Sequence, residues 1–566
     1  MPSSDLERVV TYHDATKHHP NRYARSRGSL DWANQPDPFR RFDGARVVQL
    51  DFPEDDSPPY EWMYERGAVA PAALTLASLS RLFFRALSIS AWKQSGDARW
   101  ALRCDPSSGN LHPTEGYAIL PVVEGVSQGG GVFHYAAREH ALEERAAFDR
   151  DTTARLFAGH GEVAVVLGVS SIHWREAWKY GERAFRYCQH DAGHVIAGLR
   201  YAAASLGWST YLLEGPGDAD VAALLGFDRD GDFADAERES AECLLAVHVS
   251  RDVASCPMAF DADVVRAVRD SQWAGKANRL SKESVDWPII DDVEAATVKP
   301  VCSVPPRPAD ALESVRSTEV ELDAAHRDRE GQTSAEALFR QRRSATAFDG
   351  RTGMPVGTFA RLMRRVTPEA VTPACPWDAI AWRPMIHLLL FVHRVDGMTP
   401  GVYVLIRDAV GAADNVNARV EAFRRHVKRD FDWTQPTNAV DDVPLWFLHE
   451  ADCRRSAAQL SLMQDIAGDS AFSLGMLASF DDALREHGPW FYKRLFWEAG
   501  MIGQVLYLEA EAVGLRATGI GAYFDDLVHQ VLGIDGHGLQ SMYHFTVGGP
   551  VDDSRLTTLP AYPPPK

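Results

Sequence analysis

Cysteine is scarce in this chain of 566 residues and is placed where it can do little. The seven cysteines (Cys104, Cys188, Cys243, Cys256, Cys302, Cys375 and Cys453) are odd in number and widely spaced, with no Cys-x-x-Cys pair. Neither a disulfide framework nor a zinc site is expected, and a reducing compartment fits. Long apolar runs are missing too: stretches such as Leu388 to Val392 are far too short to span a bilayer, and Met1-Pro2-Ser3-Ser4-Asp5 has no apolar signal core. Basic residues are outnumbered, 59 against 78 acidic, for a formal charge of −19. That argues against general nucleic-acid or anionic-membrane partners. There is no Gly-x-Ser-x-Gly elbow and no P-loop, and Gly129-Gly130-Gly131 lies between strands as a hairpin turn. The expectation is a soluble, cytoplasmic protein that is neither a hydrolase nor an NTPase.

What is present is enough for two sizeable cores, with 45% hydrophobic and 24% charged residues. Residues 1–60 are polar and rich in proline and read as an extended arm, carrying a short strand at Val47–Leu50. Helical spacing marks Leu74 to Leu87 and, most clearly, Ala184 to Leu206, with Gly207 as its cap. Strands are expected at 117–123, 132–135, 163–169 and 244–249. Residues 255–333 lose this regularity and read as a linker. Beyond it come helices at 334–342, 357–366 and 491–513, and strands at 385–393, 402–406, 445–448 and 543–547.

The two long helices are copies of one another. A constant offset of 307 maps Asp191-Ala192-Gly193 onto Glu498-Ala499-Gly500, Leu199 onto Leu506, Gly207 onto Gly514 and Asp218 onto Asp525. It also maps Leu225-Gly226-Phe227-Asp228 onto Leu532-Gly533-Ile534-Asp535. The chain is therefore a tandem of one α+β unit, copy one at 61–254 and copy two at 334–566, expected to close as an intramolecular pseudo-dimer.

The copies have diverged. Copy one carries Pro106-Ser107-Ser108-Gly109-Asn110, a stiff polar loop between prolines that feeds a buried strand. Copy two has Cys375-Pro376-Trp377-Asp378-Ala379 there. Copy two opens with Arg342-Arg343-Ser344, guanidinium forks suited to a phosphate, and copy one has nothing like it at 60–67. Each copy thus keeps one half of a single polar-ligand site.

In this combination the chain resembles the FMN-dependent nitroreductase superfamily, and within it the SagB-type azoline dehydrogenases, over most of its length apart from the linker. The resemblance implies the nitroreductase-like α+β fold, with one FMN per chain. It implies a phosphate and ribityl site at Arg342, Arg343 and Ser344, with Thr346 where the family often has a basic residue. It implies flavin contacts from Pro106, Ser107, Ser108 and Asn110, from the turn at Gly521 and Ala522, and a last phosphate contact from Arg555. Lys179 and Tyr180, just before the first-copy helix, resemble the pair that carries base chemistry in azoline dehydrogenases. Copy two has Glu486-His487 at the offset positions and does not repeat them.

His190 and His194 are four apart on a helix, but no third ligand is apparent and no metal is expected. The expected function is FMN-dependent dehydrogenation of a small-molecule or peptide-derived substrate such as an azoline. Hydride would pass to flavin, and oxygen would reoxidise it. An NAD(P)H-dependent nitro- or quinone reductase and a flavin-free scaffold for a biosynthetic complex are the alternatives. Partners would be the substrate, small molecule or modified peptide, and biosynthetic enzymes, with the chain a monomeric pseudo-dimer or a homodimer.

Overall fold

The computed structural model describes residues 4–65, 67–158, 163–249, 260–302, 333–369, 373–409, 416–436, 440 and 443–563. Helix α1 (Asp5–Ala15) opens the arm, which is not wholly extended as its proline content implied. Its start is fixed by a capping box, in which the Glu7 N–H donates to Ser4 Oγ at 3.2 Å and the Ser4 N–H to Glu7 Oε2 at 2.8 Å. The arm strand Arg46–Gln49 pairs with Ala141–Ala147.

Two antiparallel sheets share one strand order. In copy one it runs Ala141–Ala147, Gly131–Ala136, Thr114–Leu120, Val163–Ser171, Ser240–His248, Ser209–Leu212. In copy two it runs Leu445–Glu450, Gly401–Leu405, Ile386–Val392, Phe472–Ser479, Leu539–Gly548, Arg516–Ile520. The central strands are apolar on both faces because helices cover one side and the paired copy closes the other. Ile386–Val392, for instance, is buried at every position.

Between the sheets lie the short helix α2 (His173–Tyr180) and the long α3 (Ala184–Ala204), then α4 (Ala335–Gln341) and α5 (Phe491–Ala512) from copy two. Helices α3 and α5 cross almost backbone to backbone. A Cβ on Gly193 would lie 2.2 Å from the Trp497 carbonyl oxygen, and one on Gly500 2.2 Å from that of His190. One continuous apolar core runs through this crossing from Val9 to Val547, with a smaller core on the outer face of each sheet.

A second mark of the pseudo-symmetry is electrostatic. Arg186 pairs with Asp525 at 2.9 Å, and its offset partner Lys493 pairs with Asp218, the offset partner of Asp525, at 2.8 Å. Asp525 also takes Arg183 at 3.1 Å, and Arg183 reaches the arm through the Thr16 carbonyl at 2.6 Å. The region read as linker is partly regular. Helices Ala262–Arg269 and Pro288–Ala296 form there, the latter with proline in its first turn, and Gln272–Trp273 extends the copy-one sheet. Residues 255–259 and 303–332 of that stretch, with Cys256, lie outside the described residues. Among the described residues no helix is long and apolar enough to cross a membrane.

The crossing yields a direct test. Gly500→Ala should lower the thermal midpoint, because backbone cannot yield to the added methyl and overpacking costs about 1–3 kcal/mol or more. Gly198→Ala on α3, where nothing lies within 4 Å, should instead be neutral or stabilising by roughly 0.5–1 kcal/mol. Equal midpoints for the two variants would refute the close crossing.

Candidate active site

A cleft of about 860 Å³ opens between the copies, within the usual size of a cofactor site. Its wall takes Pro106–Asn110 from copy one and Arg342, Arg343, Ser344 and Thr346 from copy two. Strand Arg516–Ile520 continues into Gly521 and Ala522 along another side. The two half-sites, more than two hundred residues apart in sequence, therefore meet.

The loop holds its shape with its own polar groups. Gly109 and Asn110 both adopt positive φ, at 61° and 59°. Asn110 donates to the Ala101 carbonyl at 2.9 Å and faces His112 Nε2 at 3.1 Å. Ser107 Oγ accepts the His112 N–H at 2.7 Å, and Ser108 donates through N and Oγ to Asp191 at 3.2 Å. The hydroxyls and amide that the sequence offers to a ligand are thus largely spent on the loop.

Glycine is required where the wall is thinnest. A Cβ on Gly109 would meet the Tyr180 hydroxyl at 2.6 Å and Lys179 Nζ at 3.0 Å. On Gly519 it would meet the Tyr543 hydroxyl at 1.9 Å, and on Gly521 the Tyr187 ring at 2.1 Å. Tyr180 lines the cleft and its ring lies 4.4 Å from that of Tyr187. Lys179 reaches the loop from behind Gly109, with Nζ 5.1 Å from the Tyr180 ring centre.

Cations gather on the copy-two side. Arg342 donates to the carbonyls of Cys104 and Arg103 at 3.1 and 3.2 Å, leaving its buried Nη1 without a partner. Arg343 is braced by the Arg340 and Arg342 carbonyls at 2.7 Å, and burial beside Arg342 lowers it to about 10. Lys93 and Arg516 join them on the wall, and burial near Arg343 lowers Lys93. Ser344 Oγ lies 2.8 Å from the Tyr507 hydroxyl, which accepts the Gly519 N–H at 2.9 Å.

Lys179, behind Gly109, is not on the cleft wall, and Arg555 does not join it either. Asp553 captures its guanidinium at 2.7 Å and turns it outward, 84% exposed and off the cleft wall. Arg516, on the strand beside Ser344, stands on the wall instead. His190 Nε2 meets the Met542 carbonyl at 2.9 Å, and His194 Nδ1 meets Gln504 at 3.3 Å. Among the described residues no cluster of three metal-binding side chains occurs. The sequence reading missed Lys93, Asp105, Tyr187, Asp191, Tyr507 and Arg516 on this wall. Only Asp191 carried a signal, as the acid of the repeated Asp-Ala-Gly.

The pseudo-symmetric gap is bridged by ion pairs. At the offset position of Tyr507 stands Arg200, which grips Asp378 of the diverged loop at 2.7 and 2.9 Å. At those of Tyr187 and Gly521 stand Arg494 and Glu214, paired at 2.5 Å. Lys299 Nζ fills further space against the Glu214 and Pro216 carbonyls at 2.7 and 2.8 Å. Two ion pairs thus bridge the space that is open on the other side.

The open cleft fits a flavin mononucleotide. Arg342 Nη1, Asp105 Oδ1 and His112 Nδ1 are buried there without partners, and arginines with a lysine suit a phosphate dianion. Burial lifts Asp105 to about 6. Gly519 and Gly521 let the Tyr543 hydroxyl and the Tyr187 ring pack directly on the backbone of this wall.

Comparison with known proteins agrees with this architecture. The Nitroreductase family model matches residues 93–236 and 405–549, half of the chain in two copies. A crystal structure from Anabaena variabilis ATCC 29413, described as a nitroreductase, is similar at 20% identity, covering 96% of this chain and 99% of that one with a TM-score of 0.64. That likeness is one of fold. A Methanocaldococcus jannaschii protein described as a nitroreductase is 28% identical over 156 residues, 27% of this chain and 74% of that one. A chain of the E. coli microcin synthetase McbBCD complex aligns at 18% identity over 43% of this chain and 92% of that one, with a TM-score of 0.26. With both copies matched and both half-sites in place, the chain belongs to the nitroreductase family.

Proposed function

We propose that this protein is an FMN-dependent dehydrogenase that binds one FMN per chain and desaturates an azoline ring in a small-molecule or peptide-derived substrate. The observation that carries the reading is the meeting of Lys179 and Tyr180 with Gly109, the thinnest point of the cleft loop. An amine and a phenol at that point supply a base and a donor beside the ligand, as removal of a proton from a carbon acid requires. FMN, when bound, supplies the hydride acceptor.

The chain's residues divide the remaining work. Arg342 would hold the phosphate through its free Nη1, aided by Arg343, Arg516 and Lys93. Ser344 and Tyr507 would fix the strand at Gly519 against the ligand. Tyr180 and Tyr187 would wall the reacting face and keep water out, which strengthens every polar contact inside. The bridged second gap supports a stoichiometry of one.

Three measurements test this reading. Absorbance of purified protein should count one flavin per chain. Two would refute the bridged second gap, and protein colourless after incubation with FMN would favour the scaffold. Arg342→Ala combined with Ser344→Ala should weaken FMN binding by about 10- to 100-fold, the worth of a charge-assisted hydrogen bond. Unchanged occupancy would refute the phosphate assignment. Lys179→Ala should retain flavin and lose turnover of a thiazoline peptide by about 100-fold or more. Rapid anaerobic bleaching of the wild type by NADPH would favour a reductase instead.

A further inference from the structure

Arg183 ends the short turn Gly181–Arg183 before α3, lies behind the cleft wall and has no part in the reaction above. It is 1% exposed, and its contacts converge on one stretch of copy two. Its Nε and Nη2 donate to the Gly521 carbonyl at 3.3 and 3.1 Å. The guanidinium lies 4.9 Å from the Tyr523 ring centre. Nη1 donates to Asp525 at 3.1 Å and to the Thr16 carbonyl of the arm at 2.6 Å. Gln464 Nε2 donates to the next carbonyl, that of Ala522, at 3.1 Å. Both carbonyls of the turn that lines the cleft are therefore held by side chains.

In a trans peptide the C=O and N–H point in opposite directions. The 521–522 peptide has its oxygen on Arg183, behind the wall, so the Ala522 N–H faces the cleft. Among the described residues that N–H meets no acceptor. A backbone donor left open on a cleft wall is completed by an acceptor on a ligand. The other copy holds the matching carbonyl with a different cation. At the offset position of Gly521, the Glu214 carbonyl accepts from Lys299 Nζ at 2.7 Å, whereas the offset partner of Arg183 is Trp490. A cation on this carbonyl is thus common to both turns, although the two residues that supply it do not correspond.

We propose that Arg183 is the positioning residue of this turn, holding the Gly521 carbonyl so that the Ala522 N–H meets the ring of the bound flavin. This role rests on the FMN reading of the cleft and is independent of the substrate that is oxidised. Asp525 makes the buried charge tolerable, since a guanidinium without a carboxylate is costly to bury. Arg186 shares that carboxylate at 2.9 Å and reaches the arm through Thr16 Oγ1 at 2.9 Å, but it donates nothing to the carbonyls of Gly521 and Ala522. Two neighbouring arginines thus share Asp525 and Thr16, and one of them holds the turn.

The test is the dissociation constant of FMN and of riboflavin, which lacks the phosphate, measured by flavin fluorescence on the full chain. Arg183→Gln should weaken both flavins by about 10-fold, the worth of one hydrogen bond, because the loss is at the ring. Arg183→Lys should recover most of that loss, as Lys299 serves the matching carbonyl. Arg186→Gln should lower the thermal midpoint as Arg183→Gln does, yet keep both dissociation constants within about 2-fold of wild type. Should Arg183→Gln fail to fold, Ala522→Pro removes the same N–H with Arg183 in place and should weaken both flavins alike. Flavin binding unchanged in Arg183→Gln or Ala522→Pro overturns the proposal, as does an equal loss in Arg186→Gln. A loss confined to FMN also overturns it, since that would put Arg183 at the phosphate. A wild type that binds neither flavin overturns the FMN reading and this role with it.

Discussion

The contact between Gly193 and Gly500 sets the distance on which the rest of the molecule depends. With no side chain on either residue, α3 and α5 cross with backbone against backbone. Asp191 and His194 then flank the crossing on one helix, and Gln504 and Tyr507 lie just beyond it on the other. All but Gln504 line the cleft, and Gln504 holds His194. Gly503 continues the constraint, since a Cβ there would meet His194 Cε1 at 2.6 Å. A wider crossing would separate Ser344 and Tyr507 from the loop at Ser108, and no single ligand would touch both.

A tandem of two copies begins with two equivalent gaps, and charge decides which stays open. Arg200 with Asp378, and Arg494 with Glu214, reach across one gap. Tyr507, Gly109, Tyr187 and Gly521 at the matching places of the other cannot do so. Buried ion pairs contribute little net stability, because desolvation offsets most of their attraction. Their effect here is to fill space that a ligand would otherwise occupy. On the open side Arg103 Nε, Arg342 Nη1, Asp105 Oδ1 and His112 Nδ1 are each buried and lack a protein partner. Arg494 Nε and Glu214 Oε1 are also buried without partners, so the two gaps differ in what spans them and not in how fully their polar groups are satisfied.

Much of this was legible in the sequence, and the limits have physical causes. The repeat was visible because α3 and α5 must keep small residues at their crossing and apolar residues on matching faces. The half-sites were visible because proline, serine and arginine stand out against an acidic chain. Arg555 misled because its local pairing with Asp553, two residues away, does not alter the motif around it. Lys93 and Arg516 were invisible because strand pairing, of Lys93 with Thr558 and of Arg516 with Gly548, brings them to the wall. Helix α1 was hidden by the prolines that follow it, although Ser4 and Glu7 form a capping box that could have been read.

The polar loop is the clearest case where composition and role part company. Ser107, Ser108 and Asn110 look like ligand contacts, but their hydrogen bonds go to His112, Asp191 and Ala101. What they secure is the backbone at Gly109, held at positive φ against Lys179 and Tyr180. A loop fixed in this way needs no rearrangement to receive a ligand, and so loses less free energy on binding. Ser108 also donates to Asp191 on α3, which ties the wall of the cleft to the crossing helix. The hydrogen bonds from Ser107 and Ser108 that fix the loop also oppose the burial that lifts Asp191, so the loop's position and the charge of that acid are linked.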